Sequence, residues 1–397
     1  MKNLTLFGII IIILSLPSIS MAEQDEPRVD MGEEIRQIAE EQLNNLDIHR
    51  WEEFLKGING DRVVALEKFS PKKMVLDFIS GRFEFDWKLI FNTVGTTLFN
   101  EVRSNLGLMI KIIAIALIAG ILDKFKSSFN DSSVGELAWI VCYIMIVVLI
   151  VQSITITLKS GEWAIEQMTR FMQILFPILL ALLISMGAMT SSGILQPATA
   201  LLSGITGSLL KNIMIPLIFL SAVLVMVGNL NHNLNLGRLS KLVKNLSTWI
   251  LGIIFTIFVG VLSIQGILAA SFDGISIRTA KYAIEAFVPV VGKLFSQTVD
   301  ILIGCSVVLK NAVGVAGLMV IIGICLLPII KIISLMAAYK LSSALLEPVS
   351  DKRIVDCLDG IGSVMIVLFI TVAGIAIMFF MTIALLIGLG NTTVMMR

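Results

Sequence analysis

Two apolar runs, residues 212–230 and 245–272, contain no Asp, Glu, Lys or Arg. Each is long enough to cross the ~30 Å hydrocarbon core of a bilayer as a helix. The connector between them opens on Asn231-His232-Asn233 and continues with Leu234, Leu236, Leu239, Leu242, Val243 and Leu246 at helical spacing. Arg238, Lys241 and Lys244 fall on its other side, the pattern of an interfacial helix joining two membrane helices. The same order of span, short charged connector and span recurs at 106–157 around 123–131, and at 311–389 around 340–359. The pattern predicts an all-α, polytopic helical membrane protein.

The chain begins with Lys2, an apolar run at 4–16, Pro17 and the small-x-small triplet Ser20-Met21-Ala22. This reads as a secretory signal peptide over residues 1–22, with Ala22 at the cleavage site; an uncleaved anchor is the rival reading, and both place the next segment outside the cytoplasm. Residues 23–105 change character, being net acidic with periodic rather than continuous apolar positions. One amphipathic stripe holds Ile35, Ile38, Leu43 and Leu46, and a second Trp51, Phe54, Leu55 and Ile58. Ser70-Pro71 forms a helix start, with Met74, Val75, Phe78 and Ile79 on one face and Gly81 at the end. So short a set of helices makes a poor core of its own, and this extracytoplasmic region is expected to dock on the membrane domain, residues 106–397, or on a partner.

Within that domain, 106–122 and 137–158 read as spans. Residues 171–210 carry no charge but contain Pro177, Gly193, Pro197, Gly204 and Gly207, which predicts a broken or re-entrant hairpin. Residues 284–308, with Pro289, Gly292, Lys293, Asp300 and Gly304, predict a second one. A final helix is expected near 361–389, bent at Gly374. Trp139-Ile140 and Ser153-Ile154 recur at identical spacing as Trp249-Ile250 and Ser263-Ile264, which suggests internal repeats. With the region after the signal peptide outside, the three connectors fall in the cytoplasm, and a weak excess of Lys and Arg on that side agrees.

Composition strengthens the membrane reading: 56% of residues are apolar, only 15% are charged, and mean hydropathy is +0.93. A net charge of +1 gives no reason to expect nucleic acid. Cys142, Cys305, Cys325 and Cys357 form no CxxC pair and read as inert thiols. There is no HExxH, Walker loop or GxGxxG, and the two histidines, His49 and His232, stand in different regions. No catalytic, metal or cofactor site is therefore expected. Ionisable residues inside apolar segments are the functional candidates instead: Lys111, Lys293, Asp300 and Lys331. Lys293 and Asp300 share a helix face and suit an ion pair or the lining of a passage, whereas Lys111 and Lys331 are expected to snorkel to an interface. Gly252, Thr256 and Gly260 recur every fourth residue and favour close helix packing, with a partner expected inside the bundle, a second copy being the other option.

With its signal peptide, acidic helical region and multispanning body, and stretches such as Phe176-Pro177-Ile178-Leu179-Leu180-Ala181-Leu182 and Gln196-Pro197-Ala198-Thr199, the whole chain resembles the stage III sporulation protein AE family of endospore-forming bacteria. The resemblance implies a membrane component of the mother-cell-to-forespore channel apparatus, in the mother-cell membrane around the forespore. It implies as partners small membrane proteins, ring-forming proteins and an ATPase resembling secretion ATPases. On residues alone, two functions remain open: a structural or pore-forming subunit of such a complex, and a self-contained secondary transporter with a midplane substrate site.

Overall fold

A computed structural model describes residues 41–43, 46–58, 70–81, 87–126, 132–230, 236–287 and 291–395. The signal peptide, with Ala22, lies outside the described residues. Two short helices, α1 (Ile48–Ile58) and α2 (Pro71–Ile79), precede a set of long ones: α3 (Trp87–Lys126), α4 (Ser132–Ser185), α5 (Met189–Leu209), α6 (Ile215–Gly228), α7 (Gly237–Phe287), α8 (Val291–Leu346) and α9 (Lys352–Met395). Among the described residues there is no strand, and six helical stretches are long and apolar enough to cross a membrane. The protein is an all-α multi-pass membrane protein.

The helices are longer than the apolar runs that announced them. α4 has 54 residues and α8 has 56, which at 1.5 Å per residue is about 80 Å, against a hydrocarbon thickness of about 30 Å. One helix thus contains the predicted second span, the charged stretch Lys159 to Arg170 and the first arm of the predicted hairpin. In the first predicted hairpin the positions of the breaks are corrected accordingly. Pro177 lies inside α4, Pro197, Gly204 and Gly207 lie inside α5, and none of them interrupts the helix. A proline removes one backbone hydrogen bond; abandoning the helix at membrane depth would expose several N–H and C=O groups, each at a cost of several kcal/mol.

The chain instead reverses at Gly187, whose φ of +88° is open to glycine and strained for other residues. Around it Ala188 N–H donates to the Leu183 carbonyl at 3.1 Å and Gly187 N–H to that of Ile184 at 2.8 Å. These are the two bonds of a Schellman cap, which satisfies the carbonyls that end α4. α5 then continues into α6 through a π-helical segment, Leu210–Met214, with no turn between them. Pro216 follows within the first turn of α6, and the wider π turn accommodates the missing donor and the ring. In the second predicted hairpin, Pro289 lies outside the described residues. Gly292, Lys293, Asp300 and Gly304 all fall inside the continuous helix α8.

Specific contacts fix the two ends of the bundle. At one end, the loop between α8 and α9 lies on α3: Ser350 Oγ donates to the Ala116 carbonyl at 3.1 Å, and a side chain at Gly120 would stand 2.8 Å from the Val349 carbonyl. Asp351 there accepts the Arg353 backbone N–H at 2.9 Å and pairs with its guanidinium at 2.7 Å, capping α9. The Arg353 guanidinium covers Trp139 at 3.5 Å, and Trp139 stacks on Tyr143, whose hydroxyl donates to the Met226 carbonyl at 2.6 Å. Between α8 and α9, Lys340 donates to Asp359 at 2.6 Å and to Ser363 at 2.9 Å.

At the other end, Gly207 of α5 lies against Thr169 of α4, Gly317 of α8 against Leu175, and Gly314 against Ile387 of α9. The N-terminal helices dock in this second tier. Trp51 and Phe54 of α1 each place their rings 5.5 Å from Phe171 of α4, and Ser306 of α8 donates to Gln42 at 3.2 Å. α2 starts at Pro71 after Ser70 and ends before Gly81 at φ +64°, matching the start and stop signals in the sequence. The four cysteines are free.

Candidate functional site

Polar side chains converge in one cleft among α3, α4 and α8. On α3, Glu101, Ser104 and Asn105, with Leu108 one turn on, occupy the i, i+3, i+4 and i+7 positions of one face, and Lys111 extends it. On α4, Leu149, Gln152, Ser153 and Ile156 repeat the same spacing, followed by Thr157. α8 adds Lys331 and, one turn away, Leu335. Helical periodicity therefore gathers two polar stripes and a lysine into a space of about 390 Å³, within the usual size range of ligand pockets.

The floor of the cleft is held by hydrogen bonds. Asn105 donates to Ser334 at 3.0 Å, Ser153 bonds the Tyr339 hydroxyl, and Thr157 donates to the Ser153 carbonyl at 2.9 Å. The charges are less complete. Lys331 Nζ stands 4.0 Å from the Glu101 carboxylate, whereas Lys111 has no ion-pair partner among the described residues. Lys111 and Lys331, which the sequence presents as separate snorkelling residues, are thus brought to one site. The legible signal is the α3 stripe itself, since Glu101, Ser104, Asn105 and Lys111 share a face opposite Val102, Leu106 and Ile110.

Two further polar arrangements have no counterpart in the sequence pattern. Lys211, on the π-helical segment, donates to Glu166 at 2.9 Å and lies 3.6 Å from Glu162, while Arg170 pairs with Glu166 at 2.5 Å. This charged belt ties α4 to the α5–α6 helix where the two apolar tiers of α4 meet. Lys310 is wholly buried in α8, and its ammonium donates to the Ile387 carbonyl of α9 at 2.8 Å. Nothing in the apolar run around Lys310 indicates this burial, which follows from the packing of α8 on α9.

Lys293 and Asp300 lie on α8 before the apolar stretch that starts at Ile301; their side chains are outside the described residues. Gly204 and Gly207 are packing points rather than breaks: Gly204 faces Gln173 at 3.8 Å and Gly207 faces Thr169. The Gly252, Thr256 and Gly260 stripe of α7 has no such neighbour inside the bundle. Nothing among the described residues lies within 4 Å of a side chain built at Gly252 or Gly260, and Trp249 beside them is exposed. Trp249 and Trp139, matched in the repeat reading, thus sit in opposite environments, one exposed and one buried.

Long apolar helices, a polar cleft between three of them and docked N-terminal helices define a polytopic helical membrane protein. The profile of the stage III sporulation protein AE family matches residues 69–390. The stage III sporulation protein AE of Bacillus subtilis (strain 168) is 35% identical over 376 residues, covering 95% of this chain and 93% of that protein. The chain belongs to the stage III sporulation protein AE family. No solved structure matches it.

Proposed function

We propose that this chain is a membrane subunit of the mother-cell-to-forespore channel or export apparatus required for spore development, acting as a structural or pore-forming component rather than as an enzyme. Membership of the sporulation family carries the reading. The architecture supports it, because helices of 54 and 56 residues overrun a bilayer and present a second tier, with α1 and α2 docked on it, where other components can assemble. In this reading the second tier faces the space between the mother-cell and forespore membranes, and the three connectors face the mother-cell cytoplasm. The partners are then ring-forming proteins on the outer tier and a secretion-type ATPase on the cytoplasmic side.

The test is purification of the tagged full-length chain from membranes of sporulating cells, with mass spectrometry of what accompanies it. Co-purification of ring-forming membrane proteins is the expected result. A chain that purifies alone and, reconstituted without partners, takes up a defined solute would overturn the proposal in favour of a self-contained transporter.

A further inference from the structure

We propose that the cleft among α3, α4 and α8 binds the anionic phosphodiester headgroup of a membrane lipid. The first reason is charge. Two ammonium groups, Lys111 and Lys331, face one carboxylate, Glu101, which lies at the 4.0 Å limit of pairing with Lys331 alone, so the cleft holds one positive charge in excess. Lys111 lies well inside an apolar span, 94–122, where an uncompensated lysine costs on the order of 3 kcal/mol. An anion from the membrane supplies the missing partner.

The second reason is donor geometry. Asn105, Ser153 and Thr157 are engaged in the floor of the cleft, while Ser104 and Gln152 make no hydrogen bond to another described residue. Their hydroxyl and amide, with the two ammonium groups, form a set of donors suited to phosphate oxygens.

The third reason selects a lipid over a soluble anion. Exposed apolar residues stand on the cleft side of both helices: Ile118 on α3, two turns beyond Lys111, and Val148 and Ile156 on α4. A headgroup held by the lysines leaves its acyl chains lying along these residues, whereas free phosphate would gain nothing from them. Basic pockets between membrane helices are recognised sites for anionic headgroups.

The test uses the purified full-length protein in nanodiscs of phosphatidylcholine, with phosphatidylglycerol titrated in and bound lipid counted by native mass spectrometry after release into detergent. The wild-type protein is expected to retain phosphatidylglycerol selectively. Lys111→Gln with Lys331→Gln should weaken that retention at least about tenfold, since two charge-assisted bonds are lost. Lys241→Gln, an exposed lysine on α7, should change nothing. Because a double variant that misfolds would also lose lipid, Glu101→Gln is the second arm: removing the competing carboxylate should raise retention above wild type. Equal retention by wild type and double variant, or no gain with Glu101→Gln, overturns the proposal. Inorganic phosphate at millimolar concentration forms a further arm, and displacement of the lipid by it would overturn the lipid assignment in favour of a soluble phosphate ligand.

Discussion

Trp51→Ala measures what holds the N-terminal helices to the membrane body, and also what surrounds them. The indole is fully buried and stands edge-on to Phe171 at 5.5 Å. Its N–H makes no hydrogen bond among the described residues, so truncation removes packing alone. A buried Trp covers roughly 150–250 Å², or about 4–6 kcal/mol at 25 cal/mol per Å², and measured truncations of this kind cost about 3–5 kcal/mol. If α1 docks from water, undocking should become about 10²–10⁴ times more populated, at 1.4 kcal/mol per factor of ten. If lipid surrounds α1, the hydrophobic term vanishes because acyl chains are as apolar as the site. Only the ring pairing then remains, about 1 kcal/mol, less than about a tenfold change.

The assay is thiol crosslinking between Gln42→Cys and Ser306→Cys, whose native side chains touch at 3.2 Å, in a chain with its four native cysteines replaced. Crosslinking should be efficient when Trp51 is intact and collapse in the Trp51→Ala variant while the membrane body stays folded. Absence of the crosslink with Trp51 intact would refute the docking of the N-terminal helices; a loss below tenfold in the Trp51→Ala variant would refute an aqueous surrounding.

Three further outcomes are expected. Gly187→Ala, at φ +88°, should cost about 1–2 kcal/mol and lower the thermal midpoint in detergent, whereas Gly57→Ala, inside α1 with nothing within 4 Å, should not lower it. Gly120→Val places atoms against the Val349 carbonyl, already 2.8 Å from a Cβ there, and should free the 347–351 loop; protease cleavage in that loop, slow in wild type, should become fast. Single cysteines at Lys241 and Glu347, both exposed, should react with an impermeant maleimide only from the cytoplasmic side; labelling of either in intact cells would reverse the proposed orientation.

The sequence by itself determined the class and most of the spans, because membrane insertion is written in local composition: uncharged runs of sufficient length become helices wherever they fall. It also determined α2, whose start at Ser70-Pro71 and stop at Gly81 are local backbone preferences. The breaks expected in the first hairpin misled for the same reason. Pro177, Pro197, Gly204 and Gly207 carry strong local signals for a break, yet an apolar surrounding favours uninterrupted helix. The turn fell at Gly187, a single glycine with no other local mark. What only the tertiary structure decided is which polar groups meet. Glu101, Lys111, Gln152 and Lys331 come from three helices up to 230 positions apart in the chain, and Lys310 is buried by a helix that ends beyond Ile387. Such juxtapositions depend on the rotation and register of packed helices, which are set by close contacts such as Gly207 on Thr169 and Gly317 on Leu175. Apolar periodicity says that a face is covered; the fit of side chains between helices decides by what.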